Sequence, residues 1–206
     1  MRKIGLIALT LAALSGTAAA EYPDHPIRFI VPQAAGSATD TVARILGAEL
    51  TKDLGQQVVV DDRPGGALTI GLDLVAKSPP DGYTLLVTST SPMVSAPALN
   101  KSLPYDPVRD FAPIWAVKSS GLAVVVNPAL PVTTVKELVA LAKQKPGALN
   151  YASPGAGTSL HLAGELFKLR AGVDILHVPY RGGAPAVTGL LAGEIDMLLT
   201  DIPVVL

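Results

Sequence analysis

The sequence contains no cysteine. No disulfide is therefore expected to staple it, and no lipid-modified cysteine to anchor it. Aromatic residues are scarce, at 4% of the chain. With glycine, proline and aliphatic side chains abundant instead, the composition suits an α/β protein with buried parallel strands. There is no stripe of basic residues, and basic and acidic totals nearly cancel at 16 and 17. That balance argues against nucleic acid as a partner. The three histidines, His25, His161 and His177, show no ligand spacing, so no metal site is expected. Beyond the N-terminal segment no apolar stretch approaches the roughly 18 residues of a membrane span. The chain after that segment is expected to be water-soluble.

The N-terminal segment itself is distinctive. Arg2 and Lys3 form a basic n-region, Ile4 to Leu14 an apolar h-region, and Thr17-Ala18-Ala19-Ala20 a small-residue cleavage site. This is the pattern of a secretory signal peptide over residues 1–20. Its removal leaves 14 basic against 17 acidic residues, a net charge of about −3. At the other end, IDMLLTDIPVVL stops inside an apolar run without a polar tail. A run of that kind is rarely left exposed, and it reads as an incomplete chain.

Between these ends two kinds of segment alternate. Short aliphatic or β-branched runs at 27–31, 58–60, 83–88, 122–126, 149–152, 175–178 and 195–199 read as buried strands. Helical patterns lie between them, at 39–54, 70–77, 134–145, 159–170 and 184–192. The clearest is 134–145, with Val135, Leu138, Val139 and Ala142 at helical spacing, Thr134 as N-cap, Glu137 in the capping-box position and Pro146-Gly147 as a stop. Such alternation predicts parallel sheets covered by helices on both faces. The proline-rich stretch Pro92–Pro113 interrupts the rhythm, which restarts at Leu122. The expected organisation is a first lobe over 21–120 and a second over 121–206.

In open parallel sheets ligands sit beyond the carboxyl ends of strands, where N–H groups and the helix dipole attract anions. VPQAAGSATD (31–40) follows the first strand, with Ser37 and Thr39 as hydroxyls and Asp40 as a ligand contact or a helix cap. TSTSP (88–92) follows the third. YASPGAGTSLHLAGE (151–165) supplies Ser153, Gly157, Thr158, Ser159 and His161. Tyr180 and Arg181 follow the sixth strand, and Asp201 the last.

The third loop lacks the Gly-Lys-Ser/Thr of a phosphate loop, the final Gly of a dinucleotide fingerprint and the Gly-x-Ser-x-Gly of a nucleophile elbow. With no activated nucleophile or paired carboxylates in view, the site reads as one that binds a small anion without chemistry. Two other readings stand beside it, a ligand-sensing partner of a membrane sensor kinase and, more remotely, an exported serine hydrolase using Ser159 or Ser153.

Taken in order, the segments YPDHPIRFIVP, LGQQVVVDDRPGGALTIG, AKSPPDGYTLL, LPYDPVRDFAPI, LNYASPGAGTSLHLAGELF and VPYRGGAPAVTGLLAGEID, with Thr39-Asp40 after the first, resemble the Bug family. These are the substrate-binding receptors of tripartite tricarboxylate transporters. The resemblance runs from Tyr22 to the end of the chain. It implies a type II periplasmic-binding-protein-like fold, two α/β lobes closing about a hinge, with the second lobe and the return crossing incomplete here. It also implies export to the periplasm, a small carboxylate ligand, transporter membrane subunits as partners, a monomer, no cofactor and no enzymatic activity. Carried over to this sequence, the family's ligand contacts fall on Gly36, Ser37, Ala38, Thr39, Asp40, Ser89, Ser153, Gly157, Thr158, Ser159, His161 and, by its place in the motif, Asp201. One loop departs from the pattern. Where the family reads consecutive prolines and glycines before Thr-Asp, this chain has Gln33-Ala34-Ala35-Gly36-Ser37-Ala38.

Overall fold

The computed structural model describes residues 21–117 and 121–205. The expected signal peptide lies outside the described residues, as does most of the expected junction between the lobes. Two sheets and six α-helices make up the described chain.

The first sheet has three parallel strands, β1 (Ile27–Val31), β2 (Val58–Asp62) and β3 (Thr84–Leu86), in the order β2-β1-β3. β1 is central, so its alternating side chains are covered on both faces. Ile27, Phe29 and Val31 pack under helix α1 (Ala38–Leu54) through Ala43, Leu46 and Leu50. Helix α2 (Thr69–Ala76) approaches β1 closely at Gly71, where a Cβ would stand 2.9 Å from the Pro32 ring. Across the ladder Arg28 donates through Nε to Asp61 at 2.8 Å, tying β1 to β2 by charge as well as backbone.

The proline-rich stretch is not irregular throughout. It opens with helix α3 (Ser91–Leu99). Pro92 sits in the first turn, where its missing N–H would have had no intrahelical partner, so proline is tolerated there. The buried Tyr105 then donates its hydroxyl to the Pro92 carbonyl at 2.7 Å, which pins the chain leaving α3.

The second sheet has the order β4-β7-β5-β6, with β4 (Leu122–Val126), β5 (Asn150–Ser153), β6 (Leu176–Pro179) and β7 (Met197–Asp201). β5 is parallel to β6 and β7, but β4 runs antiparallel to β7, from Leu122 opposite Asp201 to Val126 opposite Met197. The expectation of purely parallel sheets is corrected here. β4 enters at an edge from the other sheet rather than through a strand–helix–strand crossover, so the handedness rule that enforces parallel pairing does not bind it.

Side-chain alternation divides the second core. Tyr151, Met197 and Leu199 face helices α4 (Val135–Gln144) and α5 (Ser159–Ala171). Ala152 and Leu198 face helix α6 (Gly183–Ala192) through Ala186 and Leu190. The expected capping box at Thr134 and Glu137 is formed, with Thr134 accepting the Glu137 N–H and the Glu137 carboxylate accepting that of Thr134.

α5 lies so close to β5 that only glycine fits at one point. A Cβ on Gly164 would fall 2.2 Å from the Tyr151 ring, inside van der Waals contact. Gly164→Ala, which would favour an exposed helix, is expected to destabilise this one by about 1–3 kcal/mol. For a chain of this size that lowers Tm by roughly 2–4 °C per kcal/mol. A thermal melt with Tm unchanged or raised would show that α5 can back away from the sheet.

Candidate ligand-binding cleft

Helix N-termini from the two sheets meet at their junction, α3 against α5 at Ser91 and Ser159 and the loop before α1 against α6 at Gly36 and Ala184, and the loops before α1 and α5 are tied down in the same way. In the first, Ser37 is the N-cap of α1 and its Oγ accepts the Asp40 N–H at 3.2 Å. The Asp40 carboxylate reaches back and accepts the Gly36 N–H at 2.7 Å. In the second, Thr158 is the N-cap of α5 and its Oγ1 accepts the His161 N–H at 3.3 Å. His161 reaches back through Nδ1 and accepts the Gly157 N–H at 3.1 Å. Each is a variant of the capping box shifted by one residue, in which the third helical residue holds the glycine before the cap instead of the cap's own N–H. Gly36 and Gly157 have φ of +78° and +80°, the left-handed region that glycine adopts without strain.

The expected site residues therefore divide. The polar groups of Gly36, Ser37, Asp40, Gly157 and Thr158 are spent on the loops themselves. Asp40 is buried and also pairs with Arg44 Nε at 2.7 Å, and Arg44 in turn reaches Asp62 at 3.0 Å. Burial, followed by the nearby Asp40 charge, raises the pKa of Asp62 above the ordinary carboxylate range. Ala38 and Thr39, the first residues of α1, are half-buried. Helix geometry leaves their N–H groups without intrahelical partners. Ser89 sits half-buried in the loop before α3. Beside it the Thr88 Oγ1 is buried without a hydrogen-bond partner. Asp201, the last residue of β7, is half-buried and paired in register with Leu122.

Ser153 is fully buried at the end of β5. Its Oγ accepts the Gly155 N–H at 3.2 Å, donates to the Gly155 carbonyl at 3.1 Å, and lies 2.6 Å from His177 Nε2. A serine–histidine contact thus exists, between residues 24 apart, where no motif or spacing pointed to one. With no solvent exposure, and its lone pairs committed to the loop, this hydroxyl is placed to brace the chain.

Ser159 does something the sequence did not announce. Its N–H donates to Ser91 Oγ at 2.8 Å and the two hydroxyls are 3.1 Å apart. Ser91 begins α3, so the first residues of one helix from each sheet are bonded side by side. Ser91 is not among the expected site residues; the nearest of them, Ser89, lies two positions earlier. A run of four hydroxyls gives no basis for choosing which one will face the other sheet.

Other contacts bring the sheets together. The Ala34 N–H donates to the Arg181 carbonyl at 3.3 Å. A Cβ on Gly182 would lie 3.2 Å from Ala34, and one on Gly36 3.2 Å from that of Ala184. Between the units lies a cavity of about 470 Å³. One wall is the turn carrying Gly65, Gly66, Ala67 and Leu68, the other Pro154, Gly155, Ala156, Tyr180 and Arg181. Ala67 and Leu68 adopt positive φ of 51° and 78°, which lets this turn fold over the cavity. A second depression of about 470 Å³, over Pro97–Asp110, lies away from the junction and carries none of the chemistry above.

Beneath the α5 loop, His161 and His177 face one another with ring centroids 4.2 Å apart. Burial, then the neighbouring His161, push the pKa of His177 below the ordinary imidazole range. Glu165 accepts from the Tyr151 hydroxyl at 2.8 Å and from Lys168 at 3.0 Å. Burial opposes its ionisation, but Lys168 and Tyr151 prevail and keep its pKa below the usual value. Among the described residues no group of three or more His, Cys, Asp or Glu could hold a metal, and no helix is long and apolar enough to cross a membrane.

Comparison with known proteins gives this geometry a context. Residues 42–206 match the family model described as tripartite tricarboxylate transporter family receptor. Protein BugT of Bordetella pertussis is 40% identical over 204 residues, covering 98% of this chain and 63% of BugT. The solved structure of R. palustris Rpa4515 with adipate is 34% identical with a TM-score of 0.86, covering 89% of this chain and 62% of that one. MatC (Rpa3494) from Rhodopseudomonas palustris with bound malate is 30% identical with a TM-score of 0.81, covering 88% and 62%. The chain thus spans about three-fifths of the length of these relatives. On the extent of the family match and the identity to BugT, the chain belongs to the tripartite tricarboxylate transporter receptor family.

Proposed function

We propose that the chain is the ligand-capturing part of a periplasmic receptor. It takes a small dicarboxylate into the cleft between its lobes and hands it to the membrane subunits of a tripartite transporter. It acts as a monomer, without cofactor, metal or catalytic step, and it reaches the periplasm by loss of residues 1–20. The lobes are 21–120 and 121–206, moving about a hinge between them.

The observation that carries this reading is the set of helix N-termini that meet at the junction of the two sheets, α3 against α5 and the loop before α1 against α6. α1 and α5 each have a cap satisfied by its own side chains. Their remaining N–H groups, those of Ala38 and Thr39 on one side and Leu160 on the other, are left for an anion. Such donors suit a carboxylate, and each charge-assisted bond contributes roughly 1.5–3 kcal/mol. Four or five would reach about 8 kcal/mol, micromolar affinity, after ordering costs. The similar proteins holding adipate and malate point to a four- to six-carbon diacid. In this assignment Ala38, Thr39 and Ser89 touch ligand, with Asp201 at the wall, although none of the four lines the cavity formed by Gly65–Leu68, Pro154–Ala156, Tyr180 and Arg181. Ser37, Asp40, Ser153, Gly157, Thr158 and His161 hold the loops, and Ser159 joins the lobes.

Two measurements test the proposal. In a thermal-shift screen, adipate or malate at about one hundred times its Kd should stabilise the protein by about 2.7 kcal/mol. That is a rise of roughly 5–10 °C for a chain of this size, with acetate and amino acids giving less. A flat response to every diacid would remove the carboxylate reading. Ser91→Ala deletes the bond between α3 and α5. Diacid affinity is expected to fall by about fivefold, the worth of one hydrogen bond near 1 kcal/mol. The ligand-free Tm should stay within a degree or two. Undiminished affinity would mean that this contact plays no part in closure.

A further inference from the structure

The two capping boxes differ in one respect that matters. In the first lobe the group reaching back to the glycine is a carboxylate, Asp40; in the second it is an imidazole, His161. From this juxtaposition we infer that His161 is a positioning residue for the second ligand loop, and that a proton on its Nδ1 releases the loop and weakens ligand capture.

The chemistry is local. To accept the Gly157 N–H, Nδ1 must carry a lone pair, so the neutral ring keeps its proton on Nε2. A second proton can enter only at Nδ1. There it faces the Gly157 N–H donor to donor, and the bond is replaced by a repulsion. Thr158, the next residue, caps α5, so the disturbance reaches the helix N-terminus that faces the ligand. At Asp40 the same place is taken by a carboxylate, an acceptor with two oxygens.

The titratable groups around His161 are Glu165 on its own helix, Tyr151 on β5, whose hydroxyl lies 3.4 Å from the His161 carbonyl oxygen, and His177 on β6. Glu165 is committed to Lys168 and the Tyr151 hydroxyl. His177 is bonded to Ser153, which holds Gly155 of the same loop. The 4.2 Å between the rings makes a doubly charged pair unfavourable. For His177 the folded pKa is depressed by burial and by the neighbouring His161. The unfolded chain binds more protons than the folded one, so stability is complete above the ordinary histidine range and declines as pH falls below about 6.5.

The binding part of the test rests on the receptor reading; the loop part does not. In the purified protein, the Gly157 amide and the His161 ring nitrogens are followed by NMR from pH 8 to pH 5. The amide should move with the His161 titration, and Nδ1 should show the unprotonated signature at pH 8. Affinity for adipate is measured in parallel on wild type, His161→Asn and His161→Gln. Asn places an acceptor oxygen near the Nδ1 position and does not titrate; Gln carries its oxygen farther out. His161→Asn should bind adipate at pH 8 within about threefold of wild type. Wild type should lose affinity relative to it on acidification, by up to tenfold per pH unit, the slope for one proton. Comparison at equal pH cancels the ligand's own ionisation. His161→Gln should bind more weakly at every pH. The inference is overturned if the Gly157 amide stays still while His161 titrates, or if wild type and His161→Asn share one pH profile. If adipate binds none of the three proteins, the receptor reading fails, and the amide titration still decides the role of His161.

Discussion

A helix N-terminus can hold a ligand only if its own loop is already held. The glycine before each cap, at a φ near +80°, gives its N–H to the third residue of the helix. The reach-back from Asp40 and from His161 fixes the loop before any ligand arrives. Much else depends on it. The cap hydroxyls of Ser37 and Thr158 are free to close the first turn, the next N–H groups face outward, and the loops are short enough to pass close to the opposite lobe. The structure is preorganised in the sense that matters for affinity, since little remains to be ordered on binding.

That close passage explains the small residues at the junction. Ala34, Gly36, Gly155, Gly182 and Ala184 meet across it with little or no side chain between their backbones. Ser91 and Ser159 add a side-chain bond between helix starts. An interface of this kind is thin and polar, and a thin polar interface can open. The large apolar contacts lie inside each lobe instead, around Tyr151 and Met197 in one and Phe29 and Val31 in the other. Energy is concentrated where rigidity is needed, and little is placed where motion is proposed.

How far the sequence revealed this depends on the range of each interaction. β1 and β4 stand at the residues their patterns marked, and the Thr134–Glu137 box formed as its spacing required. Those signals are local. The antiparallel entry of β4 was hidden because strand direction follows from the path between lobes, which leaves no trace in a five-residue run. Helix α3 was hidden by its prolines, one of which is harmless in the first turn. Ser153–His177 and Ser91–Ser159 join residues 24 and 68 apart, and no spacing rule reaches that far. The sequence reading of Asp40 as the helix cap is corrected: the cap is Ser37, and Asp40 is the third helical residue, reaching back to Gly36. The matching part played by His161 was not legible either, because histidine is no usual member of a capping box.

The first loop is held by the same kind of bond, and its path is fixed at both ends. The Ala34 N–H is bonded to the Arg181 carbonyl of the other lobe, the Ala34 carbonyl to the Ser37 N–H, and Gly36 to Asp40. These three bonds set its position. Alanine methyl groups stand where glycine would leave none, and the bare Cα of Gly182 makes room for one of them, since a Cβ there would lie 3.2 Å from the Ala34 methyl. The first loop therefore presses on the second lobe at Ala34. The approach of the two units is set there by steric contact and at Ser91 by a hydrogen bond, with no charge required at either point.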